Sequence, residues 1–104
     1  MFVRNVTFRV KPNMLSDYNR TLQNEILPLL RKQKGFKDEI ALSNTDSPNV
    51  IAISLWDNKA DAETYNTNVY PTVLNIVGKM IDGTPDVKTF EIVTSTLHKI
   101  SVAA

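Results

Sequence analysis

Three polar side chains of this sequence, Arg4, Tyr65 and His98, could take part in catalysis or ligand binding. Arg4 falls among the apolar residues of an alternating strand pattern over residues 2–10, so it is predicted to face the core. An arginine is permanently charged and offers a planar fork of donors, which suits the binding of an anion. A histidine has a reference pKa of ~6.5 and could serve as a base near neutrality. Tyr65 could orient an oxygen of a ligand, so the three residues would suit proton transfer from a bound molecule.

These residues, and the aromatic side chains around them, also have purely structural explanations. Arg4 could lie near the start of an edge strand or a frayed end and extend its charge into water. His98 could be a solvent-exposed residue near the end of the last strand. Trp56, where a strand meets a helix, could be a corner-packing aromatic or the wall of a pocket. Tyr18 and Tyr70 are further candidates for such a wall.

Patterns of apolar residues and turn signals predict the elements that would position these side chains. The predicted strands lie at residues 2–10, 36–44, 50–56 and 86–100. The predicted helices lie at residues 14–33, 58–66 and 71–81. Pro28 is expected to kink the first helix, because proline removes a backbone hydrogen bond and clashes with the preceding turn.

The element order β-α-β-β-α-α-β indicates an α+β protein of ferredoxin-like topology, with a four-stranded antiparallel sheet and helices on one face. Ile53 is predicted to lie in the helix-covered core. The opposite sheet face is expected to carry residues too apolar for contact with water. They are Val3, Thr7, Ala41, Val50, Ala52, Val87, Val93 and Leu97. This face and the long last strand predict a homodimer, with an interface on the order of 2,000 Å² or more.

Composition excludes several classes of function. The 104 residues suit a single domain, and a net charge of +1 with interspersed signs gives no reason to expect nucleic acid or a membrane surface as a partner. The chain has no cysteine, one histidine and three scattered glycines, so thiol chemistry, a His-rich metal site and a phosphate-binding loop are not expected. The N-terminus lacks the apolar core of a signal peptide, and we expect a cytoplasmic protein.

Three stretches of the sequence resemble the antibiotic biosynthesis monooxygenase-like family, a group of dimeric α+β barrels. They are LWDNKADAETY at Leu55–Tyr65, EILPLLRKQKGF at Glu25–Phe36 and TFEIVTSTLHKI at Thr89–Ile100. Together with the element order, the resemblance covers nearly the whole chain, 1–104, as one domain of this family. It implies a homodimer whose two sheets face each other, with a pocket between helices and sheet in each subunit.

One branch of the superfamily degrades haem with an Asn on the first strand and a Trp and a His in the second helical region. By counting along the sequence, Asn5 resembles the first-strand Asn, whereas Tyr65 stands in place of the Trp and Asn75 near the place of the His. Haem degradation is therefore the less favoured reading. Asn5 stays a candidate substrate-binding residue, although strand alternation places it on the face away from the helices.

Other members oxygenate aromatics of quinol or anthrone type with neither metal nor flavin, and the resemblance implies the same reaction and no cofactor here. The substrate must be deprotonated to an electron-rich anion in a dry cavity. The candidate catalytic residues are then His98 as base, Arg4 as the cation that holds the anion, and Tyr65. The candidate substrate-binding residues are Trp56, Tyr18, Tyr70 and Asn5. The alternative hypothesis is a non-catalytic dimeric domain that binds a small apolar or aromatic ligand.

Overall fold

Four antiparallel strands and a layer of helices make up the computed structural model, which describes residues 1–44 and 46–97. The strands are β1 (Phe2–Val10), β2 (Phe36–Ser43), β3 (Asn49–Trp56) and β4 (Ile81–Glu91), in the sheet order β2-β3-β1-β4. The helices are α1 (Leu15–Thr21), α2 (Leu27–Arg31), α3 (Lys59–Asn68) and α4 (Tyr70–Val77). The predicted ferredoxin-like α+β class is confirmed.

The first helical region is interrupted before Pro28. A π-helical turn, Leu22–Ile26, joins α1 to α2. Because proline has no N–H to donate and its ring crowds the carbonyl one turn earlier, a wider turn relieves the conflict. The buried side chains of Leu22 and Ile26 both line the cavity described below. The predicted kink is therefore a local widening of the helix above the sheet.

Strand register decides which residues face the helices, because directly paired residues point to the same side of a sheet. Arg4 on β1 pairs with Ser54 on β3, and Ser54 pairs with Glu39 on β2. Val50 and Ala52 share the helix-covered face with Ser54, and Val50 is buried in the core. The prediction for β3 was wrong by one residue: Ile53 pairs with Asn5 on the opposite face.

A bulge explains the same error on β2. Phe36 pairs with Trp56, but Asp38 pairs with Leu55, so the register shifts between them and the faces exchange. Phe36 lies on the helix side, whereas Ile40 lies on the outer side. Ala41 also lies on the helix side, contrary to the prediction.

The last strand begins earlier and ends earlier than the sequence predicts. Ile81 already belongs to β4, and the Asp82–Pro85 segment, which falls between the predicted helix 71–81 and the predicted strand 86–100, lies within the strand. The pairing with β1 shifts there, since Thr7 pairs with Asp86 and Arg9 with Asp82. Gly83, with φ of +71°, and the edge position of β4 accommodate this irregularity. Val87 pairs with Val6 and therefore faces the helices, contrary to the prediction.

Residues 92–97 are not part of a strand, so the predicted extension of β4 beyond Glu91 is wrong over the part of it that the structure describes. Val93 and Leu97 are exposed there. Residues 98–100 of the predicted strand lie outside the described residues. None of the described helices is long and apolar enough to cross a membrane.

Apolar side chains populate the outer face of the sheet, opposite the helices. The rungs of the ladder place Val3, Ile40, Leu42, Ile51, Ile53 and Phe90 on this face. Ile40 is 44% exposed, Leu42 47% and Phe90 52%. An antiparallel sheet that stands alone in water usually has a polar outer face. Here the outer face carries these apolar residues beside polar ones such as Asn5 and Lys88. Of its eight predicted members, Val3 and Thr7 lie on it, whereas Ala41, Val50, Ala52 and Val87 face the helices, and Val93 and Leu97 lie outside the strands.

Candidate functional site

A cavity lies between the helices and the covered face of the sheet. The interior space open to water-sized molecules is about 70 Å³. Most of the lining is apolar, contributed by the following residues: Val6, Phe8, Leu22, Ile26, Leu30, Val73, Leu74, Val77 and Ile81. Polar groups enter this wall at few positions, and they include Arg4, Glu39, Tyr18, Tyr65 and Tyr70. A mostly apolar cavity with a few convergent polar groups is typical of a small-molecule site.

Arg4 is the charged centre of the cavity and is only 3% exposed. Its guanidinium carbon lies 4.5 Å from the ring centroid of Tyr70 and 5.0 Å from that of Tyr65. Nη2 donates a hydrogen bond of 2.8 Å to Oδ1 of Asn66. Within residues 1–44 and 46–97, no carboxylate forms an ion pair with it. Two aromatic faces and an amide oxygen therefore stabilise a buried positive charge that keeps its attraction for an anion.

Burial lowers the pKa of Arg4, and the neighbouring tyrosines partly oppose this shift. An arginine nevertheless stays protonated in proteins, because its reference pKa is so high. Its five N–H donors outnumber the three neighbours described here, Asn66, Tyr65 and Tyr70, so the fork can also bind an oxygen of a ligand. Because β1 is an inner strand, the side chain cannot reach water past a sheet edge, and the edge explanation for Arg4 does not apply.

The three tyrosines of the cavity are neutral at physiological pH. Burial raises the pKa of Tyr65 to about 12, although the nearby Arg4 lowers it. Burial also raises the pKa of Tyr70, again against the effect of Arg4. The pKa of Tyr18 is raised by burial and then by the charge of Glu39. Each hydroxyl therefore keeps its proton and can donate a hydrogen bond to a ligand oxygen.

Glu39 is the acidic group of the cavity, and sequence reasoning missed it. Its Oε1 is buried and, among the described residues, has no hydrogen-bond partner. Burial raises the pKa of this carboxyl group. Glu39, Ser54 and Arg4 occupy one rung across three neighbouring strands, so Glu39 and Arg4 stand about 10 Å apart at their Cα atoms. The β2 bulge, which reverses the faces after Phe36, is what brings Glu39 inside.

Trp56 is a packing residue behind the cavity rather than part of its wall. Its side chain is 0% exposed, and its Nε1 donates a 2.8 Å hydrogen bond to Oγ of Ser54. The indole lies between the rings of Phe36, 5.6 Å away, and Tyr65, 5.1 Å away. Trp56 therefore fixes the Tyr65 ring from behind, and the corner-packing explanation fits this geometry. Trp56 is not among the residues that line the cavity, and its predicted contact with a substrate stays a prediction.

Of the remaining candidate residues within the described part of the chain, two line the cavity and Asn5 does not. Tyr18, on α1, and Tyr70, on α4, line the cavity. Asn5 does not, because it alternates with Arg4 on β1 and lies on the outer face, where its Nδ2 is 3.5 Å from Oγ1 of Thr7. Asn5 therefore does not line this cavity, and its role in substrate binding stays a prediction. His98 lies outside the described residues, and its role as a base stays a prediction.

Chemically, the arrangement combines a fixed cation, hydroxyl donors and an unpaired carboxyl oxygen in an apolar enclosure. A planar ligand could stack on the tyrosine rings while an oxyanion of the ligand contacts Arg4. The low polarity around these groups strengthens the attraction between the cation and such an oxyanion. The cavity therefore suits an aromatic molecule with an acidic hydrogen and at least one oxygen.

Solved structures share the fold of this chain. A monooxygenase of Streptomyces coelicolor, solved in complex with nanaomycin D, matches with a TM-score of 0.77 and 17% identity over 92% of this chain and 90% of that chain. A Nitrosomonas europaea protein of unknown function matches with a TM-score of 0.75 and 16% identity over 92% of each chain. A Bordetella bronchiseptica protein assigned as an antibiotic biosynthesis monooxygenase matches with a TM-score of 0.74 and 13% identity over 89% of this chain and 98% of that one.

Comparison of the sequence with protein-family models and with curated proteins finds no match. The structural likenesses have low sequence identity, so they establish the fold and leave the chemistry to the residues. The chain has the fold of the antibiotic biosynthesis monooxygenases. The resemblance predicted from Leu55–Tyr65 and its companion stretches is confirmed at that level.

Proposed function

We propose that this protein is a cofactor-independent monooxygenase that acts on a small hydroxylated aromatic of quinol or anthrone type. The observation that carries the proposal is the burial of Arg4 beneath two tyrosine rings, inside a mostly apolar cavity. A buried cation is expensive to maintain. It is useful where a substrate becomes negatively charged during reaction.

The reaction begins with loss of a proton from the substrate, which leaves an anion delocalised over the rings and an oxygen. The anion then reduces molecular oxygen, which is the oxidant. For an anthrone, a ring CH₂ group becomes a carbonyl: one oxygen atom enters the product, and the other leaves as water with the two hydrogens. Arg4 holds the developing oxyanion, and the tyrosine rings keep the substrate flat and exclude water.

The fold neighbour from Streptomyces coelicolor, a monooxygenase with bound nanaomycin D, supports the choice of reaction class. The choice of substrate class depends on the cavity itself, where a cation, aromatic rings and neutral hydroxyl groups meet. His98 stays the sequence-based candidate for the base. Its part in the reaction is a prediction that only a variant can test.

Oxygen consumption by metal-stripped protein tests the proposal. Dithranol, a hydroxyanthrone, and a naphthoquinol serve as substrates, with the spontaneous rate subtracted. We expect uptake above that rate. If His98 is the general base, His98→Ala should reduce the rate by about 100-fold or more, whereas an unchanged rate would assign the base to another residue. The matched control is Lys59→Ala, an exposed change on α3 remote from the cavity.

The outcome also separates the two hypotheses. If dithranol and the naphthoquinol bind but oxygen uptake never exceeds the spontaneous rate, the protein is better described as a non-catalytic small-ligand-binding domain. If neither compound binds, the assignment of the cavity to hydroxylated aromatics is wrong.

A homodimer formed through the outer sheet face belongs to the same proposal. Exposed Ile40, Leu42 and Phe90 would be covered by the same face of a second copy. An interface of this kind is expected to bury on the order of 2,000 Å² or more in total. Sedimentation at micromolar concentration should give the dimer mass; a monomer as the sole species would disprove it.

A further inference from the structure

Glu39 has a property that the anion-holding role of Arg4 does not explain. Its Oε1 is buried against the cavity and, among residues 1–44 and 46–97, receives no hydrogen bond. Leaving a buried acceptor unsatisfied is costly, and such a group in a native protein usually has a functional reason. A ligand that donates a hydrogen to Oε1 would remove this cost.

The position of Glu39 relative to Arg4 suggests what the ligand does there. The two residues lie on the same rung of the sheet with Ser54 between them, and both line the same cavity. The hydroxyl oxygen of Ser54 already accepts the indole N–H of Trp56. One ring system lying over Ser54 can therefore contact the carboxyl group on one side and the guanidinium on the other.

We propose that Glu39 is the residue that accepts the proton from the substrate, and that Glu39 and Arg4 together select aromatics with an acidic hydrogen on one side and an oxygen on the other. The inference rests on the proposed function and assigns the base to a residue other than His98. In this step the bond between the acidic hydrogen and the substrate breaks, and the proton bonds to Oε1 of Glu39. The electron pair stays on the substrate and spreads to the oxygen that faces Arg4.

The surroundings of Glu39 favour this transfer. Burial raises the pKa of its carboxyl group, which makes it a stronger base than an exposed glutamate. The titratable and charged groups that face it or lie beside it are Tyr18 from α1, Arg31 from α2, Arg4 from β1, Tyr65 and Tyr70 across the cavity, and Lys37 and Asp38 on its own strand. The tyrosines are neutral in the working range, so they do not compete for the proton.

The test follows anion formation without oxygen. Wild-type protein and the variants Glu39→Gln and Glu39→Asp are mixed with dithranol under nitrogen, and the coloured anion is recorded over time at several pH values. Glutamine keeps the size of the side chain but cannot accept the proton, whereas aspartate keeps the acid one methylene further away. Glu91→Gln, an exposed strand glutamate, is the matched control.

In wild-type protein the proton stays within the complex, so the bound anion should form quickly, and its fraction should change little with pH while Glu39 accepts the proton. In Glu39→Gln the proton must go to water. Anion formation should then be slower by about 100-fold or more. Its fraction should rise tenfold per pH unit where the anion is the minor form. Glu39→Asp should fall between the two, and Glu91→Gln should match wild type.

Two results would overturn the proposal. One is a Glu39→Gln variant that forms the bound anion at the wild-type rate and with the wild-type pH dependence. The other is a wild-type protein that never forms the bound anion. The anion assay contains no oxygen, so its result does not depend on oxygenation. A protein that forms the anion there but consumes no oxygen in the aerobic assay would refute the monooxygenase proposal and support the role of Glu39.

Discussion

Replacing Arg4 by methionine should show separately how the buried charge affects the stability of the protein and how it affects ligand binding. Methionine is similar in length, is apolar and fits irregular spaces, so Arg4→Met fills the same position without the guanidinium. The variant loses contact with the rings of Tyr65 and Tyr70, whose centroids lie 5.0 and 4.5 Å from the guanidinium carbon. It also loses the hydrogen bond to Asn66.

The opposing contributions to stability are of similar size. Each cation–π contact is worth about 2 kcal/mol when it is shielded from water. A hydrogen bond from a charged donor contributes about 1.5–3 kcal/mol. Against these stands the cost of removing a charge from water, which amounts to several kcal/mol for each ion. We therefore expect the free energy of unfolding of Arg4→Met to lie within about 1.5 kcal/mol of wild type.

Binding should respond differently. Losing a charged hydrogen bond of about 1.5–3 kcal/mol raises the Kd for an anionic ligand by about 10- to 100-fold. The assay is an anaerobic titration with dithranol, paired with chemical denaturation of the same samples. Arg9→Met, an exposed change on the same strand, is the matched control. A loss of more than about 3 kcal/mol in stability with an unchanged Kd would mean that Arg4 is structural.

Other changes test the acidic group, the tyrosines, the core and the outer face. Because the pKa of Glu39 is raised in the folded state, lowering the pH from about 7 toward its ordinary value of 4.5 should stabilise wild type relative to Glu39→Gln in denaturation experiments. The pKa of Tyr65 is also raised in the folded state, so the free energy of unfolding should fall as the pH rises from 10 to about 12. In Tyr65→Phe this fall should be smaller. Leu22→Ala should cost about 2–5 kcal/mol, whereas Leu15→Ala, on the exposed side of α1, should cost little. Ile40→Lys should yield a folded monomer by sedimentation if the outer face forms the dimer.

The sequence predicted strands and helices well where the spacing of apolar residues agreed with the turn and cap residues that flank them. The alternation in β1 placed Arg4 on the covered face and Asn5 on the other, and both positions agree with the register. The start of the predicted helix 58–66 also agrees, since Asn58 caps α3 and its Oδ1 accepts the N–H of Asp61 at 2.9 Å. These features are local, so the chain specifies them without knowledge of its partners in the fold.

Alternation did not show which residues of β3 face the helices, because both alternating sets of this strand are mostly apolar, and the bulge in β2 interrupts the alternation there. Ile53 and Val50 are equally suited to a core, so alternation alone does not distinguish them. Trp56 contained the missing information: a tryptophan at the corner beneath α3 fixes the parity of β3, and Ser54 must then face the helices. On β2, the bulge after Phe36 exchanges the two faces of the strand, so alternation alone did not place Glu39 on the helix side.

The limits of β4 depend on pairing rather than on composition. Gly83 and Pro85 are strong turn signals in a sequence, and the predicted elements leave them between the helix that ends at 81 and the strand that begins at 86. In the structure they lie at an irregularity of an edge strand, where a proline need not donate to a neighbour. Only the register with β1 shows that the chain on both sides of this irregularity belongs to one strand.

Both charged groups that line the cavity in the described residues lie on a single rung of the sheet. Arg4, Ser54 and Glu39 come from three different strands, and each faces the helices only because of the register. A slip of β2 by one residue would turn Glu39 outward and bring an apolar neighbour such as Ile40 inward. The core would then gain apolar area, and the cavity would lose its acid while keeping its cation. The bulge that sets this register therefore belongs to the chemistry of the site as much as the side chains do.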